Sequence, residues 1–190
     1  DTALLGNDMW AGAFDDRVFK SSPFTENGQF IKILVGRKDN HKLFGLSDVE
    51  DFKTLSAVTG TNWHIDIKTL EKLGVNRIET VATYPLQFKM IEAGRVDFGL
   101  YSTTLIDKSL THLPANLAVV PEVTVGLAGT RHFMISKTHP LGKKIFQALE
   151  KGLAILKKQG VIQRALLEAA ITSEKALHWK MPPLWFLAFP

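Results

Sequence analysis

The chain has 190 residues, 45% of them hydrophobic and 22% charged, and its 23 Lys and Arg against 19 Asp and Glu give a net charge of +4. Plentiful apolar residues and a low net charge exclude a disordered chain, and the length admits one domain or two small lobes. The absence of Cys excludes disulfides, thiol catalysis and cysteine-based zinc sites, and the longest apolar stretch near the C-terminus, Leu184 to Phe189, falls far short of the ~18 to 20 residues of a membrane span.

Residues 1 to 29 are rich in Asp, Gly, Asn and Ser and show no sustained period, which predicts loop with at most one short helix. The chain opens at Asp1 without an initiator Met, as expected after removal of a leader or in a fragment. Phe30 to Gly36 alternates and is β-branched, predicting a strand. Ser47 is placed to cap a short helix over SDVEDF, whose acidic residues suit the positive end of the helix dipole. Leu55 to Val58 is a short apolar run leading into Thr59-Gly60-Thr61-Asn62. Beyond it Trp63, Ile67 and Leu70 recur at helical spacing, and the helix is expected to stop at Gly74.

A strand is predicted at Arg77 to Val81, followed through Thr83-Tyr84-Pro85 by a helix carrying Leu86, Met90 and Ala93 on its apolar face. Gly94 ends that helix and Val96 to Leu100 reads as the next strand. Residues 111 to 116 form a turn-rich connection, with further strands at Leu117 to Val120 and His132 to Ser136. Pro140 opens a helix with Leu141, Ile145, Leu149, Leu153 and Leu156 as its stripe. Gly160 separates this helix from a last one containing Ile162, Leu166 and Ala169. Trp179 to Pro190 holds three prolines and four large aromatics, so it is expected to dock rather than continue as helix. Alternation of strands and helices at this spacing predicts an α/β fold with a largely parallel sheet.

The order of these motifs resembles a known family. The segments LSDVEDFKTL, VTGTNWHIDIKTL, TVATYPLQFKMIEAGRVDFGLYST and KKIFQALEKGLAILKKQGVIQRAL follow one another as in the type 2 periplasmic binding proteins. The likeness is to the extracellular solute-binding group that includes amino-acid receptors of ABC importers, and it spans roughly residues 20 to 172. It implies two α/β lobes with mixed, mostly parallel sheets and a ligand held in the cleft between them. Residues 37–130 would form the second lobe; residues 1–36 and 131–190 would supply the first lobe's crossing strand and C-terminal helices. The family's βαβαβ unit before the crossing strand needs more chain than the residues before Phe30 supply. The first lobe is therefore expected to be incomplete, in a reduced protein or a piece of a longer one.

The resemblance implies a periplasmic or otherwise extracytoplasmic protein that captures a small polar or anionic solute without chemistry on it. Its partners would be that small molecule and an ABC transporter permease or a signalling partner. A sensor domain on the same fold, or an interaction module without a ligand, are the alternatives. No cofactor, metal, nucleic acid or stable membrane insertion is expected: the six His lack ligand spacing, the Lys pairs 143–144 and 157–158 fall at helix-face spacing, and no P-loop or nucleophile elbow occurs.

Gly60, Thr61 and Asn62 precede a helix whose free N–H groups suit a carboxylate or other anion, although Thr61 or Asn62 as a plain helix cap is the competing role. Thr83 and Tyr84 start a helix at a strand's carboxyl end, where open α/β sheets gather ligands. Trp63 could stack on a ligand, but it also shares a stripe with Ile67 and Leu70. Asp97, in the helix-to-strand turn Gly94-Arg95-Val96-Asp97, is expected to hold that turn. Five residues on, where amino-acid receptors of the family place an ammonium-binding Asp, this chain has Ser102 after Tyr101. A hydroxyl cannot balance a desolvated ammonium as a carboxylate does. Arg17, ahead of Ser21-Ser22-Pro23-Phe24, resembles the family's carboxylate-binding Arg, with a shorter spacing.

Overall fold

The computed structural model describes residues 8–10, 16–103 and 113–168. In chain order these form β1 (Asp8–Trp10), β2 (Val18–Lys20), β3 (Ile31–Arg37), α1 (His41–Phe44), a 3-10 helix (Val49–Thr54), β4 (Ser56–Gly60), α2 (His64–Lys72) and β5 (Arg77–Val81). They continue as α3 (Tyr84–Glu92), β6 (Phe98–Ser102), β7 (Leu117–Gly126), β8 (Arg131–Ser136), α4 (Gly142–Lys158) and α5 (Val161–Glu168). The aromatic C-terminal segment, Ala169 and residues 111–112 of the turn-rich connection lie outside the described residues.

The strands make two sheets, one of five strands ordered β5-β4-β6-β3-β7 and one of three ordered β1-β8-β2. In the larger sheet β4 runs parallel to β5 and β6, while β3 is antiparallel to both β6 and β7. The smaller sheet is antiparallel throughout. The fold is thus α/β with a mixed sheet, but parallel pairs do not predominate as the sequence predicted. The reason is connectivity. Only β4 to β5 and β5 to β6 are bridged by crossover helices, α2 and α3, which parallel neighbours require.

β3 is buried along nearly its whole length because both faces of the sheet are covered. Leu34, Phe52, Leu55, Leu70 and Phe98 pack on one face, and Ile33, Val35, Val58, Ile91 and Tyr101 on the other. By its hydrogen bonds β3 belongs to the larger sheet, not with β1, β2 and β8, where the sequence grouped it.

Local chemistry departs from the sequence pattern at three helices. Asp48, not Ser47, caps the 3-10 helix: its carboxylate accepts from Glu50 N–H and Asp51 reaches back to the backbone N–H of Asp48. Ser47 instead donates its own N–H to Asp51 Oδ2 at 2.8 Å. In α3 the inward residues are Gln87, Phe88, Ile91 and, as expected, Met90, while Leu86 is left 45% exposed and Ala93 is exposed as well. In α4 Leu153 is buried while Leu156 is exposed, as is Leu141, which stands at the cap ahead of the helix. Gly94, at φ 66°, turns the chain out of α3 as expected. Asp97 holds that turn to the sheet, accepting from Ser56 N and Oγ at 2.7 Å and from Asn40 Nδ2 at 2.8 Å.

The smaller sheet carries α4, with Phe19 stacked on Phe146 at 5.3 Å and Ser22 N–H donating to Glu150 at 2.7 Å. Two segments, 21–30 and 127–130, join the sheets and lie side by side. Gly28 N–H donates to Leu127 O, and Leu127 N–H to Phe30 O. The Arg131 guanidinium packs against the rings of Trp10, Phe24 and Phe30 here, at 4.9 to 5.8 Å. At this seam Gly126 has no room for a side chain: a Cβ would meet the Gly28 carbonyl oxygen and lie 2.9 Å from Gly28 Cα. Gly126→Ala should therefore cost about 1–3 kcal/mol through overpacking against backbone. Urea unfolding measures this; an unchanged midpoint would mean that the two segments separate freely.

Candidate functional site

The parallel register aligns Gly60 at the end of β4 with Val81 at the end of β5, so both strands deliver their carboxyl ends to one edge. The loops that leave them, 60–63 and 82–85, together with Gln87, line a cleft of about 630 Å³. That size lies within the range of small-molecule sites. Each loop runs directly into a helix, and the lining takes in Trp63, the cap residue of α2, and Tyr84, Pro85 and Gln87 of the first turn of α3.

Neither helix has a side-chain cap. Trp63 occupies the cap position of α2, so neither Thr61 nor Asn62 performs the plain capping role. Thr61 donates its N–H to Val81 O at 3.1 Å, which ties the two loops together and leaves its side chain exposed in the cleft wall. Among the described residues, the N–H groups of His64 and Ile65 in α2, and of Tyr84 and Leu86 in α3, have no protein acceptor. Two helix starts with unfilled donors thus lie beside one volume, that of α3 lining it directly and that of α2 through its cap residue Trp63.

An aromatic wall flanks these donors. Trp63 lies against Gly60, whose missing side chain leaves space for the indole. Tyr84 meets Trp63 edge-on at 5.0 Å and Tyr101 at 5.8 Å, and Phe88 stacks on Tyr101 at 4.9 Å. Burial pushes the Tyr101 hydroxyl far up, with Tyr84 adding to the effect, and that hydroxyl has no hydrogen-bond partner. Tyr84 is also raised, first by burial and then by the charge of Asp66. Gln87, 1% exposed, lines the cleft with its Oε1 unpartnered.

Behind Trp63 lies a charge pair that the sequence reading did not single out. Lys32 of β3 and Asp66 in the first turn of α2 form a buried ion pair, 8% and 5% exposed. Lys32 Nζ also stands 4.4 Å from the centroid of the Trp63 ring. Burial lowers the Lys32 ammonium and raises the Asp66 carboxyl, and each charge opposes the shift of the other. A Lys inside the apolar run FIKILVG was the visible signal, since a strand buried on both faces does not carry a charge without a partner. Gln87 was hidden by the choice of Leu86, Met90 and Ala93 as the inward face.

The structure brings Gly60, Thr61, Asn62, Trp63, Thr83 and Tyr84 together in one cleft. Tyr101 lies beneath it as part of the aromatic wall, and Ser102 is in register with Lys32 across β3 and β6. Arg17 is not brought in. It lines a separate hollow of about 450 Å³ with Asp16, Val18 and residues 136–138, and pairs loosely with Asp16 at 3.8 Å. Trp10 packs on Phe30 at the seam rather than in the cleft. No group of His, Cys, Asp or Glu among the described residues is arranged to hold a metal ion.

No protein-family model matches the sequence, and neither does the sequence of any curated protein. Solved structures do match by shape. A probable amino-acid ABC transporter extracellular-binding protein from Bacillus subtilis, ytmK, aligns with a TM-score of 0.59 at 14% identity, over 83% of this chain. The periplasmic VFT2 domain of Bordetella pertussis BvgS gives 0.58 at 13% identity over 85% of it. An amino acid ABC transporter substrate-binding protein from Streptococcus pneumoniae, bound to L-arginine, gives 0.52 at 17% identity over 87%. The chain has the fold of the two-lobed periplasmic binding proteins. It spans 66% of the length of each of these three.

The Lys32–Asp66 pair yields a direct test of the energetics beneath the cleft. Lys32→Met, which strands a buried carboxylate, should cost about 3–5 kcal/mol, whereas the double variant Lys32→Met/Asp66→Leu should recover most of that loss. A double-mutant cycle in urea, with Asp66→Leu as the second single variant, measures both; a double-variant loss equal to the sum of the two single losses would show that the pair is not coupled.

Proposed function

We propose that this chain captures a small polar or anionic solute, amino-acid-like or carboxylate, outside the cytoplasm and hands it to an ABC importer. The observation that carries the reading is the convergence of α2 and α3, uncapped, on a single cleft at the carboxyl ends of β4 and β5. Unfilled backbone donors at positive helix ends bind carboxylates, and the rings of Trp63 and Tyr84 offer apolar surface beside them. The likeness to extracellular binding proteins of amino-acid transporters favours the same role.

Within this reading the residues that contact solute are Gly60, Thr61, Asn62, Trp63, Thr83 and Tyr84, with Gln87 added from the cleft lining. The five-stranded body acts as one lobe, and the three-stranded body with α4 and α5 belongs to the other. Closure of one upon the other about segments 21–30 and 127–130 would be biased by the solute's contacts in the closed state. The protein binds its solute and does no chemistry on it. A second reading, the ligand-binding domain of a signalling receptor, is favoured by the likeness to the BvgS periplasmic domain.

A thermal-shift screen of amino acids, carboxylates, amines and small peptides tests the common core of both readings. A solute at ~100 times its dissociation constant should add about 2.7 kcal/mol to stability. Trp63→Ala and Tyr84→Ala should each weaken that solute by about tenfold, given that aromatic contacts contribute roughly 0.5–1.5 kcal/mol beyond their area. A silent screen across all four classes would sink the solute-binding reading.

A further inference from the structure

α4 turns one side to the smaller sheet and the other to solvent, and the outer side carries a regular pattern. Leu141 at the cap, Ala148 and Ile155 form one exposed row, and Lys144, Lys151 and Lys158 form a second. Members of each row are seven residues apart, so each set runs nearly along the helix axis, drifting only ~20° per step. The rows are three residues out of phase and therefore lie side by side, each over about 21 Å of helix. Leu141 and Ile155 are each more than half exposed, and exposed Leu156 adds to the apolar side.

A helix face that meets only water gains from mixing the two signs, with Glu and Lys one turn apart. Here the outer side holds no acid. The single acidic residue of α4, Glu150, is half-buried and accepts from Ser22 N–H in the segment 21–30. Among the described residues Lys144, Lys151 and Lys158 have no ion pair or hydrogen bond, whereas Lys157, outside the rows, pairs with Glu26 at 3.3 Å. A row of uncompensated cations beside an aliphatic row is complementary to an anionic partner that also takes up apolar side chains.

Composition selects among such partners. Protein interfaces favour aromatic residues and Arg and disfavour Lys and Ala, and neither row holds an aromatic residue or an Arg. A second copy of this face would set Lys against Lys. An anionic bilayer fits both rows, because aliphatic side chains enter the acyl boundary while Lys stems reach back to the headgroups. We propose that the outer face of α4 lies on an anionic phospholipid bilayer, with Leu141 and Ile155 entering the boundary and Lys144, Lys151 and Lys158 meeting lipid phosphates. The contact is peripheral: no helix among the described residues is long and apolar enough to cross a membrane. The face belongs to the body of the smaller sheet, away from the cleft at the ends of β4 and β5, and does not depend on what the cleft binds.

Co-sedimentation of the full chain with vesicles of equal parts phosphatidylglycerol and phosphatidylcholine tests this. The chain should pellet with them at about 0.1 M salt and be released at about 1 M, where the Debye length falls from ~10 to ~3 Å. It should not pellet with phosphatidylcholine alone. Each Lys at an anionic surface contributes about fivefold to partitioning, so Lys144→Gln/Lys151→Gln/Lys158→Gln should weaken binding roughly a hundredfold. Leu141→Gln/Ile155→Gln should weaken it about tenfold. A triple of exposed residues on the larger body, Lys42→Gln/Lys68→Gln/Lys89→Gln, removes the same charge and should have little effect.

Equal weakening by the two triples would mean attraction by net charge, and binding that the α4 triple leaves unchanged would mean contact elsewhere on the chain. Either overturns the proposal. So does a chain that stays in solution with the anionic vesicles at about 0.1 M salt; if it then binds poly-glutamate, the face belongs to an acidic protein instead. Circular dichroism checks that each variant is folded, and the lipid and salt comparisons on the unaltered chain decide the matter if one is not.

Discussion

Parallel pairing of β4 with both β5 and β6 is the constraint from which the site follows. Parallel neighbours cannot be joined by a hairpin, so the chain must return along the outside of the sheet through α2 and then α3. Each return begins at the carboxyl end of a strand, which fixes where both helix N-termini lie. The two helices cover opposite faces of the sheet, with Leu70 of α2 in one core cluster and Ile91 of α3 in the other. The cleft is consequently a property of the sheet's connectivity. The side chains that line it then decide what chemistry it presents.

The residues nearest the cleft form a graded environment. Exposed Thr61, Asn62 and Thr83 stand at its mouth, the rings of Trp63 and Tyr84 flank it, and Lys32 with Asp66 lie behind. A buried ion pair contributes little to stability by itself, since desolvation consumes most of the attraction. It sets two opposite charges behind Trp63, with Lys32 against the indole and the Asp66 charge felt by Tyr84. The same helix is tied to the seam between the sheets, because Thr69 Oγ1 accepts from Ala128 N–H at 2.9 Å. α2 therefore borders the cleft at its start, through its cap residue Trp63, and touches the joining segment 127–130 along its length.

Much of the secondary structure was legible because its signals are local. Arg77 to Val81 was read as a strand with the bounds the structure assigns, and the strand signals at Phe30 to Gly36 and His132 to Ser136 differ from the observed strands by only a residue at either end. Turn residues did equally well where the backbone demands them, as at Gly94. Short elements were missed. β1, β2 and α1 have three or four residues each, too few to establish a period, and they exist because β8 and the larger core give them partners. β7 continues past Val120 through Pro121 and Glu122, which the sequence marks as a break. The strand accommodates them in a bulge opposite β3, with Glu122 at φ 59°.

By itself the sequence determined the alternation of strands and helices, the α/β class, the likeness to a two-lobed binding protein and the presence of Gly60-Thr61-Asn62 and Thr83-Tyr84 before two helices. Those features rest on periodicity, propensity and caps, which act over a few residues. Tertiary structure alone decided that the two helix starts share one cleft, that Arg17 lies elsewhere, and that Lys32 pairs with Asp66 across 34 positions of sequence. Such pairings depend on sheet register and on which helix face is inward, and a one-residue change in either reverses the answer. The helical stripe of α3 shows this: Leu86 and Gln87 are adjacent, yet one is exposed and the other is buried in the cleft wall.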